Sequence, residues 1–263
     1  MSKFLVGLIG EGIEHSLTPD LHMREARAMG LEYEYQIIDV LDPALQGKSI
    51  DWLLAQARAA GFDAVNITFP FKQKAIALLE SFSPEVGQLQ STNLVLNLQN
   101  KAHGENTDWT GFEFALNSAL HEADRDLVIQ VGVGGAGSAT AFALLRWGVK
   151  HLVLADLNPE RATELANRYG QFFPNQQVEA LPMDQALELL PKVSGVVQAT
   201  PIGMYTHPGL PFAIDGLNPA AWVADVVYFP LETALLAEAR RKGCRTLDGG
   251  GMAVHQAAEA FTI

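Results

Sequence analysis

Two hydroxyl side chains near the N-terminus have the spacing of an anion cradle. Ser16 and Thr18 flank one leucine in EHSLTPDLH, so both can face one side of an extended or turning backbone. With free N–H groups at the start of a following helix, they would hold a carboxylate. The residues alone favour a simpler role, in which Thr18 is the N-cap of a helix beginning at Pro19.

A lysine and an aspartate in two further motifs could move a proton. Lys72 is the last residue of NITFPFK. Within the same motif, Thr68 is predicted to be the last residue of a strand. Asp108 lies in ENTDWTGF, where it could equally be the N-cap of the next helix. A solvated surface lysine is the commoner outcome. If the two groups meet, however, they form an ammonium–carboxylate pair able to relay the proton of a hydroxyl being oxidised.

A glycine-rich stretch, VGVGGAG at 131–137, predicts a nucleotide site downstream of these motifs. An apolar strand runs into it and a helix follows, which is the context that such a fingerprint requires. Its backbone would approach a pyrophosphate at Gly132, Val133, Gly134, Gly135 and Ala136. Asp156 ends the next strand, where a carboxylate can bind ribose hydroxyls and would repel a 2′-phosphate. NAD is therefore favoured over NADP; the alternative is that Asp156 only caps a turn.

Composition limits the possible partners. The chain has 263 residues, 48 % of them hydrophobic, a formal net charge of −12 and one cysteine, Cys244. An acidic surface disfavours nucleic acid and anionic membranes, and no apolar run approaches a membrane span. One cysteine excludes an internal disulfide and a cysteine-rich metal site, so we expect no metal and a reducing cytoplasm.

Hydroxyl oxidation with a nicotinamide cofactor is the reaction that the motifs suggest.

Strand and helix patterns alternate along the chain, which predicts an α/β protein with mostly parallel sheets. Strands are expected at FLVGLIG, YEYQIID and DAVNIT, with a helix beginning at FKQKAIALL and a hairpin turning near Asn100. A second α/β unit follows. We predict an N-terminal α/β substrate domain at 1–107 joined by 250–263, and a C-terminal Rossmann-like dinucleotide-binding domain at 108–249.

In their order along the chain, these motifs resemble the shikimate dehydrogenase family. The resemblance rests on EHSLTPDLH, NITFPFK, STNLV, ENTDWTGF, VGVGGAG, ATPIGM and DGGGMAVHQA, and covers nearly the whole chain. The Ser-x-Thr pair and the ADLN strand end look most like the NAD-dependent quinate/shikimate branch. One departure is Leu94, an apolar residue where the family usually has a threonine, which predicts altered recognition of a ring hydroxyl.

The resemblance implies roles for individual residues. Lys72 and Asp108 would be the catalytic pair at the hydroxyl. The substrate, a small cyclic hydroxy-carboxylate, would be bound by Ser16, Thr18, Thr68, Asn93, Tyr228 and Gln256. The nicotinamide side of the cofactor site would be lined by Thr200, Val226, Gly249 and Met252. Without the resemblance, core packing would be preferred for Val226, Tyr228 and Met252.

Three alternatives stay open at this point. The first is quinate or an amino-substituted analogue as the substrate in place of shikimate, or oxidation of both quinate and shikimate. The second is a nucleotide-responsive binding protein that lacks turnover, and the third is a folate-type dehydrogenase of similar plan. The sequence does not distinguish a monomer from a homodimer.

Overall fold

The chain folds into two compact units in the computed structural model, which describes residues 3–98 and 101–263. The first unit comprises Met1–Thr107 and Gln256–Ile263, and the second comprises Asp108–His255. The units therefore divide at 107/108 and 255/256, and the division into a substrate domain and a dinucleotide-binding domain stays a prediction. Residues 250–255 group with the second unit, in which a Cβ on Gly251 would lie 3.3 Å from that of Ala115.

The first unit is built on a six-stranded mixed sheet in the order β2-β1-β3-β5-β6-β4. Its strands are β1 (Phe4–Gly10), β2 (Tyr33–Asp39), β3 (Ala64–Ile67), β4 (Ser81–Phe82), β5 (Leu94–Leu98) and β6 (Lys101–Glu105). Strands β1, β2 and β3 are parallel, while β5 runs antiparallel to both β3 and β6. The predicted hairpin is therefore present as β5 and β6, and its turn near Asn100 lies outside the described residues.

Helices cover both faces of this sheet because alternate residues of its central strands are apolar on each side. The helices are α1 (Thr18–Ala28), α2 (Ile50–Ala59), α3 (Pro84–Leu89) and the end of α9 (Gly250–Thr262). One core cluster contains Ile9, Leu53 and Ile67. The cluster on the opposite face contains Val6 and Leu94, and Ala260 of α9 closes it.

Two sequence expectations in this unit are wrong. The helix expected from FKQKAIALL is only a short 3-10 helix at Lys74–Leu78, which buries little more than Ala75 and gives way at once to strand β4. Thr18 is not an N-cap: it is the first residue of α1, the N-cap position belongs to Leu17, and no side chain caps it. The helix start therefore does not account for the Thr18 hydroxyl.

The second unit is built on a six-stranded parallel sheet in the order β12-β11-β10-β7-β8-β9. Its strands are β7 (Leu127–Val131), β8 (His151–Ala155), β9 (Gln177–Ala180), β10 (Gly195–Gln198), β11 (Trp222–Asp225) and β12 (Arg245–Leu247). Its helices are α4 (Asp108–Leu120), α5 (Gly135–Arg146), α6 (Pro159–Phe172), α7 (Met183–Glu188), α8 (Ala234–Arg241) and the start of α9. This is the strand order of dinucleotide-binding folds, whose ligands bind beyond the carboxyl ends of the strands where the order reverses. Here the reversal lies between β7 and β10.

Within the described residues, no helix is both long and apolar enough to cross a lipid bilayer.

Candidate active site

The carboxyl ends of β1 and β3 bring two of the predicted motifs together in the first unit. The N–H of Thr68 donates to the carbonyl of Ile9 at 3.0 Å, and a Cβ on Gly10 would collide with the Thr68 side chain. The loop after β1 therefore lies against the loop after β3. The loop after β1 carries Ser16, whose hydroxyl accepts from the N–H of Thr18 at 3.3 Å.

Lys72 is fixed through its main chain next to the segment that precedes β5. Its carbonyl accepts from the N–H of Thr92 at 3.0 Å, and the lysine is half-buried. The neighbouring residue, Asn93, contributes its own carbonyl to the N–H of Ile67 at 2.8 Å. The turn ending at Lys72 and the segment containing Asn93 thus occupy the same edge of the sheet as Thr68.

Asn93 and Gln256 contact each other at this edge. Asn93 is 2 % exposed, and its Nδ2 donates to Gln256 Oε1 at 3.2 Å and to Thr107 Oγ1 at 2.9 Å. Its Oδ1 accepts from the N–H of Thr107 at 2.8 Å. Two residues predicted to bind one substrate, from segments far apart in sequence, are therefore adjacent in the first unit.

The side chain of Leu94 does not line this edge. Its side chain is buried with Val6, Ala64 and Ala260, on the face of the sheet packed against α9. Consecutive residues of an extended segment point to opposite faces, so Leu94 points into the core and Asn93 toward Gln256. The expectation that Leu94 alters recognition of a ring hydroxyl stays a prediction.

Two further predicted site residues belong to the second unit. Asp108 is the first residue of α4 and is buried, while Tyr228 follows β11 and is half-buried. Lys72 lies in the other unit. The pairing of Lys72 with Asp108 and the approach of Tyr228 to a substrate therefore stay predictions.

The glycine-rich stretch forms a tight turn between β7 and α5. Gly132 has a φ of +97°, and a Cβ there would lie 2.7 Å from the carbonyl oxygen of Ala199. A Cβ on Gly137 would collide with the carbonyl of Gly132. Gly134 is the N-cap of α5 and has nothing within 4 Å of its Cβ position. The turn therefore leaves room beside a helix N-terminus, which suits a phosphate group. Val133 belongs to the same turn, and Gly135 and Ala136 are the first residues of α5.

Asp156 faces this turn. Its Oδ2 accepts from the N–H of Val133 at 2.9 Å, and its Oδ1 accepts from the N–H of Asn158 at 2.9 Å. The turn-capping role left open by the sequence is thus present. Each carboxylate oxygen accepts more than one hydrogen bond, so capping does not preclude binding to ribose hydroxyls.

The remaining residues predicted to bind the cofactor follow β10 and β11. Thr200 lies within reach of the glycine turn, since a Cβ on Gly132 would be 2.9 Å from its methyl group. A Cβ on Gly249 would collide with the carbonyl of Val226, so these two backbones are in close contact. Met252 is buried in the first half of α9.

A buried carboxylate, Asp225, supports this end of β11. It accepts from the N–H of Val227 at 3.0 Å and from the hydroxyl of Thr233 at 2.7 Å. Burial raises the pKa of Asp225 to about 6, an effect that these two hydrogen bonds only partly offset.

Comparison with known proteins identifies the family. The family model described as the shikimate dehydrogenase substrate binding domain matches residues 8–95. A protein of Arthrobacter sp. (strain FB24) named shikimate dehydrogenase (NADP(+)) is 46 % identical over 99 % of this chain and 89 % of its own length. The chain belongs to the shikimate dehydrogenase family. It is accordingly an α/β oxidoreductase, as the sequence predicted.

Other relatives in the family carry different names. A quinate/shikimate dehydrogenase (NAD(+)) of Corynebacterium efficiens is 44 % identical over 99 % of this chain and 92 % of its own length. The structure of quinate dehydrogenase from Corynebacterium glutamicum in complex with NAD has a TM-score of 0.90 and 40 % identity. That similarity covers 98 % of this chain and 92 % of that one.

Three supporting residues were not found by sequence reasoning. Gln130 donates through Nε2 to the carbonyls of Gly132 at 2.9 Å and Gly137 at 2.6 Å, so it holds both ends of the glycine turn. Gln198 holds the loop after β10 by accepting from the N–H of Thr200 at 2.7 Å. The available signal was a lone glutamine at or near the end of each otherwise apolar strand. The third residue, Thr107, gave no such signal.

Proposed function

We propose that this protein catalyses reversible hydride transfer between NAD(H) and shikimate or 3-dehydroshikimate. The first unit would bind the cyclic hydroxy-carboxylate, and the second would bind the dinucleotide. The observation that carries the proposal is the edge of the first sheet, where Thr68, Lys72, Asn93 and Gln256 lie together. The names of the relatives at 46 % and 44 % identity support the choice of substrate.

The polar groups at this edge suit the proposed substrate. The hydroxyls of Ser16 and Thr18 would hold its carboxylate, and the amides of Asn93 and Gln256 would hold ring hydroxyls. Lys72 supplies a positive group in a chain whose net charge is −12. An anionic substrate requires such a local charge, because the overall field would otherwise repel it.

The cofactor would be bound by the glycine turn of the second unit, which fits a pyrophosphate. The bound nicotinamide supplies the hydride acceptor for alcohol oxidation and the donor for the reverse reaction. Residues of the chain would handle the other product of oxidation: as the carbon loses a hydride, its hydroxyl would lose a proton to Lys72 and Asp108, the proposed catalytic pair. The same pair would return that proton during reduction.

Asp156 supports NAD over NADP. A 2′-phosphate placed about 4 Å from this carboxylate would be repelled by roughly 4 kcal/mol at an effective dielectric constant near 20. One similar relative is named as an NADP(+) enzyme and another as an NAD(+) enzyme, so the preference for NAD is part of the proposal.

Initial rates of the purified protein test the proposal directly. We expect cofactor reduction with shikimate, faster with NAD than with NADP, and a parallel assay with quinate reports whether both substrates are used. The names of two relatives favour this second activity. No reduction of either nucleotide by either compound would refute the dehydrogenase assignment and favour a binding protein.

Two variants assign the residues. Lys72→Ala should lower kcat by roughly 10²- to 10⁴-fold, the range for loss of a proton-transfer group, with a smaller change in KM. Lys74→Ala is the matched control, because Lys74 is exposed and begins the neighbouring 3-10 helix. Equal effects of the two would contradict the role of Lys72. Asp156→Asn keeps an acceptor for Val133 and should narrow the preference for NAD; unchanged selectivity would contradict its role.

We also propose a cellular setting and an assembly for the protein. A reducing cytoplasm is consistent with one buried free cysteine, Cys244. The protein is proposed to act as a monomer or homodimer, with no nucleic-acid or membrane partner.

A further inference from the structure

Thr107 makes three hydrogen bonds that connect the two amides of the candidate substrate site. Its N–H donates to Asn93 Oδ1 at 2.8 Å, and its hydroxyl accepts from Asn93 Nδ2 at 2.9 Å. The same hydroxyl donates to the carbonyl of Gln256 at 2.9 Å. Thr107 is 1 % exposed. A single buried residue therefore contacts both Asn93 and Gln256, which are separated from each other by 163 positions.

These contacts fix which way the Asn93 amide faces. An amide has an acceptor end and a donor end, and the two can exchange by a half-turn. The Thr107 N–H can only donate, so it requires Oδ1 on its side, and the hydroxyl then receives Nδ2. Because that hydroxyl gives its single proton to the Gln256 carbonyl, it has none left to donate to Asn93 Oδ1 in the opposite orientation. Thr107 also holds the turn of α9 that carries Gln256.

We infer that Thr107 is a positioning residue for substrate recognition, acting by orienting the Asn93 amide and by holding Gln256 beside it. The inference rests on the proposed function, in which Asn93 and Gln256 bind the hydroxy-carboxylate. Thr107 does not itself contact the reacting atoms in this account. Its effect reaches the substrate through two other side chains, so its loss should weaken binding more than turnover.

Replacing the hydroxyl tests the inference. Thr107→Val keeps the shape and the main-chain N–H but removes the hydroxyl, so Asn93 and Gln256 each lose that partner. We expect the KM for shikimate to rise about tenfold, equivalent to about 1.4 kcal/mol, with kcat and the KM for NAD within roughly twofold of wild type. Thr107→Ser restores the hydroxyl and should recover most of the affinity.

A matched control separates positioning from stability. Thr92 is also fully buried in the first unit, but its hydroxyl donates to the main-chain carbonyls of Leu94 and Glu105. Thr92→Val should therefore lower the melting temperature by a similar amount while changing the KM for shikimate much less. Equal losses of shikimate affinity in the two variants would overturn the inference, because any buried hydroxyl would then serve.

A double-mutant cycle tests the route through Asn93. If Thr107 acts through this amide, Thr107→Val should cost much less than tenfold in the Asn93→Ala background, since coupled residues are non-additive. A full tenfold loss in that background would contradict the route through Asn93 and assign the whole effect to the contact with Gln256. A fall in kcat with unchanged KM would contradict the inference, by indicating an effect on the adjacent Asp108.

Calorimetric binding of shikimate separates this inference from the proposed function. A wild-type protein that neither binds nor oxidises shikimate or quinate overturns the proposed function and the inference with it. A wild-type protein that binds and turns over shikimate, together with a Thr107→Val variant of unchanged affinity, overturns only the inference.

Discussion

A buried histidine in the first unit should make the stability of the protein sensitive to mild acid. His22 is 2 % exposed, and its Nδ1 lies 2.9 Å from the hydroxyl oxygen of Tyr33. Its ring packs edge-on against those of Tyr35 and Phe261. Its Nε2 is buried and has no hydrogen-bond partner among the described residues. Burial lowers the pKa of His22 from 6.5 to about 4, because the imidazolium would be poorly solvated there.

The sign of the effect follows from proton binding. Between the two pKa values the unfolded chain binds a proton at His22 and the folded chain does not, so stability is present above pH 6.5 and is lost as the pH falls toward about 4. For a fall from about pH 7.5 to about pH 5, these pKa values give a loss of about 2 kcal/mol in the free energy of unfolding.

The measurement compares wild type with His22→Phe, which keeps an aromatic ring beside Tyr35 and Phe261 but cannot titrate. Urea unfolding at the two pH values should show the difference in unfolding free energy between wild type and variant changing by about 2 kcal/mol. His15→Asn, which removes an exposed histidine of the same unit, is the control. An NMR titration in which the His22 ring protonates near 6.5 would refute the reasoning, as would a pH-independent difference between wild type and His22→Phe.

Further predictions concern the second unit and one helix cap. Asp225 has the opposite sign to His22: its raised pKa favours the folded state at low pH, and this contribution is lost as the pH rises toward about 6. In urea unfolding, Asp225→Asn should therefore gain about 1 kcal/mol relative to wild type between pH 5 and pH 7.5. Gly137→Ala should lower the melting temperature and NAD affinity through its clash with Gly132, whereas Gly170→Ala, in open space within α6, should raise the melting temperature. Ser49→Ala should destabilise α2 by about 1 kcal/mol in urea unfolding, because Ser49 accepts from the N–H of Trp52 at its N-terminus.

Periodicity predicted the regular elements where local patterns dominate. FLVGLIG and YEYQIID are strands β1 and β2 with the expected bounds, because continuous or aromatic-rich apolar runs leave little alternative. The prediction of a helix after Pro70 was wrong because local patterns do not dominate in that segment. Its residues favour a helix locally, but the chain must turn into strand β4 within a few positions, so only the 3-10 helix at Lys74–Leu78 forms.

The residue types of the candidate site were more predictable than the hydrogen bonds between its residues. Motifs identified Asn93 and Gln256, but nothing local indicates that both contact Thr107, since the bonded partners are up to 149 positions apart. Thr18 shows the converse error: its position before Pro19 is typical of a cap, yet the backbone places Leu17 there. Which residue is the N-cap depends on the residue at which the preceding loop ends and the helix begins, and tertiary contacts of that loop set this position.

Helix α9 imposes an order of events on synthesis. The half of the chain that leaves the ribosome first contains β1 to β6, yet its apolar face is sealed by Ala260 and its aromatic cluster by Phe261. Those residues emerge only after the whole second unit has been translated. Part of the interior of the first unit therefore stays uncovered until α9 has been made. A fragment ending at Thr107 should expose this interior and aggregate.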